Sequence, residues 1–269
     1  MFRTLTEVLR DNWEWRHQVG QLAITELRKQ VRGAVLGWVW LLATPAVFIG
    51  VFWFALEIGL RTSTPVHGIP YIVWLAVGMV PWFYMSDMIS GGSNVYRRYS
   101  YLVNRLRFPI AVISSFYGAA HFIVFLLSTV IIAATMVLTR TPVTVYAVQL
   151  PVLAIIMYFF WVVWSLLTSP LSALSKDFHN LVKALSLPLF WLSGTIFDMS
   201  QVQIEWVQWV MAFNPVTFFV TSYRAALCDH FWLWERPRLL FCFLGMFVVM
   251  LLLALRVQKR LGTEVADVL

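Results

Sequence analysis

Ionisable side chains inside apolar stretches are the first candidates for chemistry in this chain. Glu57, Asp87 and His121 each lie within a long run of hydrophobic residues. A charge in such a setting marks a proton relay, a local hydrogen bond or exposure at a membrane interface. The three positions show no evident mutual spacing along the sequence. We therefore expect local hydrogen bonding or exposure, which disfavours an ion-coupled transporter.

Motifs that would perform covalent chemistry are missing from the sequence. It contains no HExxH, no GxSxG and no paired acidic motif on a polar loop, which argues against catalysis within the membrane. It contains no GxxxxGK[ST], so the chain does not bind ATP through a P-loop. Cys242 lies in an apolar run and Cys228 is the only other cysteine, so neither a structural disulfide nor a cysteine-based metal site is expected.

Helices that cross a membrane must position these residues. The chain is 60% hydrophobic and 12% charged, whereas soluble domains carry about 25% charged residues. A spanning helix needs ~20 apolar residues. Six stretches meet this need, at residues 34–60, 69–91, 110–138, 143–174, 181–197 and 239–257. The sequence predicts an all-α integral membrane protein with a six-span domain over residues 34–257.

Both ends of the chain are too polar to span. An amphipathic helix lying in the membrane interface is predicted over residues 2–16. Its apolar face carries Phe2, Leu5, Leu9 and Trp13. A break is expected at residues 17–20, and a second amphipathic segment completes residues 1–33. Residues 258–269 are expected to form a polar tail.

The stretch over residues 201–229 is apolar enough to suggest a seventh crossing. Asn214-Pro215 interrupts it, where a spanning helix would lose hydrogen bonds. A seventh crossing would also separate the basic residues of the tail from the other basic clusters. We expect two short helices in a re-entrant hairpin that opens on the outer face, with its backbone buried in protein or lining a cavity.

Basic residues set the orientation. Most of the 20 Lys and Arg residues fall in the N-terminal segment, the loops after the second and fourth spans, and the tail. Cytoplasmic segments attract Lys and Arg, so both termini are expected in the cytoplasm. The basic loop at residues 97–107 is explained by anchoring to anionic lipid headgroups. The net charge of +7 therefore indicates membrane lipids, not nucleic acid, as the partner.

Five local sequences resemble one family, in the family's order. They are ELRKQVRGAVLGWVW at 26–40 running on to Thr44-Pro45, GMVPWFY at 78–84, LVNRLRFP at 102–109, LSALSKDFHNLV at 171–182, and Phe213-Asn214-Pro215 with Tyr223-Arg224. Together they resemble type-2 ABC exporter permeases, closest to the Wzm-like group that exports O-antigen, teichoic acid and capsule-type polysaccharides. The family more often has Arg at the place of Lys176, and usually Ser-Pro where Leu192-Ser193-Gly194 lies.

The resemblance implies the partners and the activity. The chain would pair with a second copy of itself and with two nucleotide-binding subunits, which hold ATP and Mg²⁺. The assembly would move a lipid-linked polysaccharide across the bacterial cytoplasmic membrane, and the chain itself would be no enzyme. An ABC exporter of a small molecule or drug, an ion-coupled transporter and a membrane-embedded enzyme stay open as alternatives. A cavity lined mainly by aliphatic side chains would favour the drug exporter.

The loop after the fourth span is the candidate lever for the ATPase. A short helix there could transmit force, with Asp177 as an acceptor that caps the helix that follows. The alternative is that Ser-Lys-Asp only ends one helix and starts another. The predicted coupling residues are Ser175, Lys176, Asp177, Phe178, Asn180, Arg105 and Arg107.

Aromatic residues suggest a path for sugar. The flat C–H faces of sugar rings stack on aromatic rings, and the chain has 14 Trp, 9 Tyr and 21 Phe. The alternative is the aromatic belt at the two membrane interfaces. The predicted translocation path consists of Tyr71, Trp74, Trp82, Phe83 and Tyr84.

Two gates are predicted at the ends of this path. The cytoplasmic gate consists of Arg28, Arg32, Gly33, Gly37, Trp38 and Trp40. The external gate consists of Trp206, Trp209, Asn214, Pro215 and Arg224.

Overall fold

The computed structural model describes residues 2–60, 68–102, 108–199 and 202–268. Within these ranges the regular secondary structure is helical. The helices are α1 (Phe2–Glu14), α2 (Arg16–Val31), α3 (Val39–Trp53, continued by a π-helical turn over Phe54–Gly59), α4 (Tyr71–Ser90), α5 (Val95–Arg98), α6 (Ile110–Leu138), α7 (Leu150–Leu174), α8 (Lys176–Trp191), α9 (Glu205–Ala212), α10 (Pro215–Arg224) and α11 (Pro237–Val268).

Five of the described helical stretches are long and apolar enough to cross a bilayer. They are Val39–Gly59, Tyr71–Leu102, Ile110–Leu138, Val145–Leu174 and Pro237–Leu261. They correspond to the first four predicted spans and the sixth, and they confirm an all-α membrane fold. The predicted fifth span falls on α8, whose 16 residues reach about 24 Å, less than the ~30 Å hydrocarbon core.

Two glycines shift the start of the first spanning helix toward the C-terminus of the predicted position. Gly33 and Gly37 have φ angles of 83° and 50°, in the left-handed region. Left-handed residues end helices because they interrupt the repeating hydrogen bonds. Helix α2 therefore ends at Val31, and α3 begins at Val39 rather than at the predicted residue 34.

Helix α4 lies at the centre of the bundle. It packs against α3, α6, α7, α8 and α10, and most of its side chains are buried. A helix surrounded in this way must be apolar or small around its whole circumference. A polar side chain on it then needs a partner from a neighbouring helix or an opening into a cavity. Asp87 is the charged side chain of α4 to which this requirement applies.

The N-terminal helices break earlier than predicted. The turn lies at Trp15, and residues 17–20 are helical because a single glycine at Gly20 is tolerated inside a helix. Helix α2 packs on α6 through Ala23 and Leu27. Leu9 stays exposed on α1, as expected of an apolar face that meets lipid rather than protein.

The stretch before the last helix contains two helices, as predicted. Asn214 Oδ1 accepts a hydrogen bond from the Val216 backbone nitrogen at 3.0 Å, and Pro215 occupies the first helical position, where no donor is needed. The Asn-Pro pair therefore starts α10 and sets the break. The predicted tail at 258–269 continues α11 as a helix through residue 268.

Candidate functional site

An aromatic cavity lies between the end of α2 and helices α3, α4, α6 and α8. Its volume is about 670 Å³, within the range of ~300–1,000 Å³ that is usual for ligand-binding cavities. The rings on its wall are Trp40, Phe48, Phe52, Trp82, Phe83 and Phe190. The aliphatic residues are fewer: Leu41, Pro45, Met79, Val124 and Leu187. The lining is therefore mainly aromatic and polar.

Contacts between rings from different helices hold this wall together. Phe48 of α3 meets Phe83 of α4 with ring centroids 6.2 Å apart. Phe190 of α8 meets Phe52 at 5.8 Å and Trp82 at 5.1 Å. Aromatic pairs at such distances add about 0.5–1.5 kcal/mol each beyond the burial of their surface. The wall is thus a property of three helices packed together.

The polar part of the lining consists of short side chains and two charges. Gln30, Thr44, Ser86, Asp87, Ser90, Ser128, Lys183 and Ser186 face the same space as the rings. Hydroxyl and amide groups can both donate and accept hydrogen bonds. Rings with flat apolar faces beside neutral hydrogen-bonding groups make a surface that complements a polyhydroxylated ring.

Two of the ionisable residues inside apolar stretches form a pair. Asp87 Oδ2 of α4 lies 3.0 Å from His121 Nδ1 of α6. The sequence showed no mutual spacing between them because their separation of 34 positions passes through a loop. The expected local hydrogen bond is present, but it joins two spans. Glu57 lies apart from this pair, in the π-helical turn that ends α3.

The predicted path residues divide between the cavity and the packed bundle. Trp82 and Phe83 line the cavity. Tyr71 donates to the Ile196 carbonyl at 3.0 Å and stacks on Trp74, and Tyr84 is buried among rings of α6. In this conformation Tyr71, Trp74 and Tyr84 are packing residues, and contact with a substrate stays a prediction for them.

The predicted cytoplasmic gate lies between α2 and α3. Arg28 and Arg32 are exposed at the end of α2. Gly33 and Gly37 make the left-handed turns that separate the two helices, and exposed Trp38 follows them. Trp40 is the member of this group that reaches the cavity wall. The gate function itself stays a prediction.

The start of α8 corrects the predicted capping residue. Ser175 Oγ accepts a hydrogen bond from the Phe178 backbone nitrogen at 3.3 Å, so Ser175 is the N-cap. Asp177 lies two positions beyond the capping position and is exposed in the first turn. Lys176 and Asn180 are also exposed. The expected short helix followed by a separate span is one continuous helix.

Anchoring contacts fix the start of α8 against the bundle. Phe178 packs against the main core, and His179 Nδ1 lies 3.2 Å from Ser93 Oγ. Burial lowers the pKa of His179, and the nearby cations Arg97 and Lys183 lower it further. Helix α8 is thus held on one side while its polar residues face outward.

The basic loop makes protein contacts that the sequence did not indicate. Arg97 donates from Nε and Nη2 to the Ala173 carbonyl, at 3.2 and 2.9 Å, and so caps the C-terminal end of α7. Arg98 pairs with Glu26 of α2. Headgroup anchoring therefore does not account for these two charges. Arg105 and Arg107, the other predicted coupling residues, lie outside the described residues.

Glu26 fastens the amphipathic helix to the bundle. Its side chain is 1% exposed and lies 2.7 Å from Arg98 Nη2 and 3.8 Å from Lys29 Nζ. A buried carboxylate needs such partners because desolvation of an isolated charge is costly. Sequence reasoning missed this role since Glu26 reads as one more residue on the polar face of α2.

Replacement of Glu26 by Gln should loosen α2 without unfolding the protein. Because Arg98 and Lys29 are about half exposed, at 48% and 49%, water screens part of the interaction, and we expect a loss of about 1–2 kcal/mol. Limited proteolysis between α2 and α3 should become faster. Glu7→Gln, which breaks an exposed pair with Arg3, is the matched control and should leave the rate unchanged. Equal rates for Glu26→Gln and wild type would contradict the anchoring role.

The predicted external gate surrounds a buried arginine. Arg224 of α10 donates to the carbonyls of Gly194, Thr195 and Trp74, and its guanidinium lies 3.2 Å from the centroid of the Trp74 indole. Gly78 of α4 leaves the space that the guanidinium fills, since a Cβ there would overlap it. Arg224 therefore ties α10 to α4 and to the segment after α8.

The other predicted residues of the external gate differ in how far they are exposed. Asn214 and Pro215 start α10, as described above. Trp206 is exposed, and Trp209 lies under Arg238 with the guanidinium carbon 3.7 Å from the ring centroid. A cavity of about 420 Å³ opens beside Arg224 and is lined by Trp74, Gln208, Thr221 and residues at the start of α11. Opening of a gate here stays a prediction.

A bundle of apolar spanning helices that carries a ligand-sized polar and aromatic cavity is the architecture of a multi-pass membrane transport protein. Sequence comparison gives the family. The chain belongs to the ABC-2 type transporter family, whose profile matches residues 17–228. The predicted family is thereby confirmed, and the chain is a membrane transport subunit.

Curated relatives agree with this assignment. The chain is 24% identical over 228 residues to the O-antigen export system permease protein RfbA of Myxococcus xanthus, covering 84% of this chain and 86% of the relative. It is 22% identical over 247 residues to a protein of the same name from Klebsiella pneumoniae, covering 91% of this chain and 92% of the relative. The similarity therefore extends along almost the whole length of each protein.

Proposed function

We propose that this chain is the permease subunit of an ATP-driven exporter that moves a lipid-linked polysaccharide across the bacterial cytoplasmic membrane. The observation that carries the proposal is the aromatic cavity with its short hydroxyl side chains. The names of the relatives, which are O-antigen export permeases, support the same substrate class. Membership of the ABC-2 type family supports an ATPase partner, which would bind ATP and Mg²⁺ and hydrolyse the ATP.

The lining favours a glycan over a small apolar drug. A long polymer must bind weakly at many places so that it can slide, as ions do in a channel with several weak sites. Aromatic faces and neutral hydroxyls provide such binding. An aliphatic cavity would have favoured the drug exporter, and this wall carries rings from three helices instead.

The proposed topology has six crossings with both termini in the cytoplasm. The fifth crossing would be made by α8 together with the residues that follow it, because α8 alone is shorter than the hydrocarbon core. Helices α9 and α10 would form a re-entrant hairpin that opens outward, and α1 and α2 would lie in the cytoplasmic interface. The distribution of Lys and Arg supports this orientation.

A second copy of the chain would complete the conduit. The outer face of α3 is apolar and exposed, with Val47, Val51 and Phe54 uncovered. Helices α3 and α8 both contribute to the cavity wall, so a partner packed on this face would extend the enclosure of the cavity. Two nucleotide-binding subunits would then contact the cytoplasmic side through the exposed Lys176, Asp177 and Asn180 of α8.

The proposed gates lie at the two ends of this route. Arg28, Arg32 and Trp38 would act at the cytoplasmic mouth, where the left-handed turns at Gly33 and Gly37 separate α2 from α3. The hairpin would act at the outer end, with Trp206 and Trp209 exposed and Arg224 as its anchor.

Co-purification with a tagged chain tests the proposal. A P-loop nucleotide-binding protein should come along, and its ATPase rate should rise when a lipid-linked glycan is added to the complex in lipid. Stimulation by apolar drugs and not by glycan would indicate the small-molecule exporter. Transport by the purified chain without an ATPase would indicate an ion-coupled transporter, for which the Asp87–His121 pair supplies titratable groups.

A further inference from the structure

A line of three residues joined by two contacts runs from the end of α2 to the wall of the aromatic cavity. Gln30 Nε2 lies 3.5 Å from His121 Nε2, and His121 Nδ1 lies 3.0 Å from Asp87 Oδ2. A single tautomer of a neutral imidazole satisfies both contacts. Its Nδ1–H donates to the carboxylate, and its Nε2 accepts from the amide.

The histidine is fixed while the carboxylate remains accessible. The His121 side chain is 9% exposed, and its ring packs on Tyr117 with centroids 4.4 Å apart. The Asp87 side chain is 52% exposed and lines the cavity. One carboxylate oxygen is therefore held by a buried donor, and the group as a whole is presented to the cavity in a set orientation.

The neighbours of Asp87 on the wall suit an uncharged sugar. Trp82 and Phe83 precede it on α4 and offer ring faces, and Ser86 and Ser90 line the same space. A carboxylate is an acceptor only, and its hydrogen bonds from neutral donors are stronger than those between neutral groups. Hydroxyls are the donors that an uncharged sugar supplies beside its flat C–H faces.

We propose that Asp87, positioned by His121, recognises hydroxyl groups of uncharged sugars in the conduit and gives it a preference for neutral over anionic polymers. The inference rests on the proposed function and narrows its substrate class. At contact distance a fixed carboxylate repels uronates and phosphodiesters, because the separation is shorter than the Debye length of ~8 Å at physiological ionic strength. Lys183, the other charge on the lining, is exposed on α8 and is not held by the histidine.

Binding of two oligomers to the full chain in lipid nanodiscs tests the inference. Maltohexaose is the neutral probe and the hexamer of galacturonate the anionic one, and tryptophan fluorescence follows binding. The wild type should bind maltohexaose more tightly. Asp87→Asn keeps the shape of the side chain and removes the charge, so the ratio of the two affinities should shift toward galacturonate by about 10-fold, the difference between charge-assisted and neutral hydrogen bonds.

Three further variants distinguish recognition by Asp87 from a structural effect and from an effect of net charge. His121→Phe keeps a ring but loses the donor, so maltohexaose binding should weaken while the charge of Asp87 still repels galacturonate. The ratio should therefore shift in the same direction as with Asp87→Asn, but by less. His121→Asn places an amide nitrogen near the Nδ1 position and should retain the wild-type ratio. Glu205→Gln makes the same change of net charge on exposed α9, away from the cavity, and should leave the ratio unchanged.

Each outcome bears on a different statement. If the wild type binds both oligomers and Asp87→Asn leaves the ratio unchanged, the inference is wrong while the proposed function stands. An equal shift with Glu205→Gln would also overturn the inference, because the effect would then come from bulk charge. If the wild type binds neither oligomer, the proposed function fails and the inference falls with it.

Discussion

Replacement of Gly78 by Ala should destabilise the protein by about 1–3 kcal/mol, the usual cost of adding a methyl group to a filled interior. The new Cβ would overlap the Arg224 guanidinium and lie 3.0 Å from the Thr195 carbonyl oxygen. Because Arg224 is held by three carbonyls and the Trp74 ring, it cannot move aside freely. Reversible unfolding by SDS in mixed micelles measures the change in the free energy of unfolding.

A double-mutant cycle with Arg224→Met identifies the cause. The single Arg224→Met variant should lose about 3 kcal/mol or more, since it leaves buried carbonyls unpaired. In that background the cost of Gly78→Ala should fall by at least about 1 kcal/mol, because the main obstacle to the Cβ is gone. Gly50→Ala is the matched control. No atom lies within 4 Å of a Cβ at Gly50, so that variant should be neutral or slightly stabilising. Additive costs for Gly78 and Arg224 would refute the packing described here.

Replacement of Asp177 by Ala should separate ATP hydrolysis from export. Asp177 is exposed in the first turn of α8, so its removal costs the fold no more than a helix-dipole contribution of about 0.3–1 kcal/mol. If α8 transmits movement of the ATPase, export should fall about 10-fold or more while ATP turnover continues, in line with coupling free energies of 1–3 kcal/mol. Both rates are measured on the same reconstituted complex.

Ser175→Ala provides the complementary control. It removes the N-cap of α8 and should cost about 1 kcal/mol of stability, yet it leaves the exposed polar face in place. Ser175 is also one of the predicted coupling residues; if it acts only as the cap, export per folded complex should stay near the wild-type value. If Asp177→Ala exports at the wild-type rate, the proposed role of Asp177 in coupling is wrong.

The capping residue of α8 could not be chosen from the local sequence alone. The polar stretch after the fourth span was predicted to hold a cap and a coupling helix, and a cap is present. The choice between Ser175 and Asp177 depends on which residue adopts an extended backbone, and Ser175 does so with φ −132° and ψ 122°. That choice is made by the packing of Phe178 and His179 on the bundle, which a local pattern does not contain.

The local sequence also does not determine which aromatic residues of α4 line the cavity. Trp82 and Phe83 line it, whereas Tyr71, Trp74 and Tyr84 of the same helix are packed within the bundle. All five are apolar aromatics on α4, and α4 is apolar around its whole circumference, so no hydrophobic face indicates how the helix is rotated. Only the positions of the neighbouring helices decide which rings meet the cavity.

The sequence by itself determined the positions of five apolar spans, the break at Asn214-Pro215 and the distribution of basic residues, because each follows from local backbone preference or from transfer into lipid. Only the tertiary structure decided the contacts of Asp87 with His121, Glu26 with Arg98, and Gly78 with Arg224. These pairs join helices far apart in the chain. Their formation depends on helix rotation and register, which side-chain packing sets and hydropathy does not report.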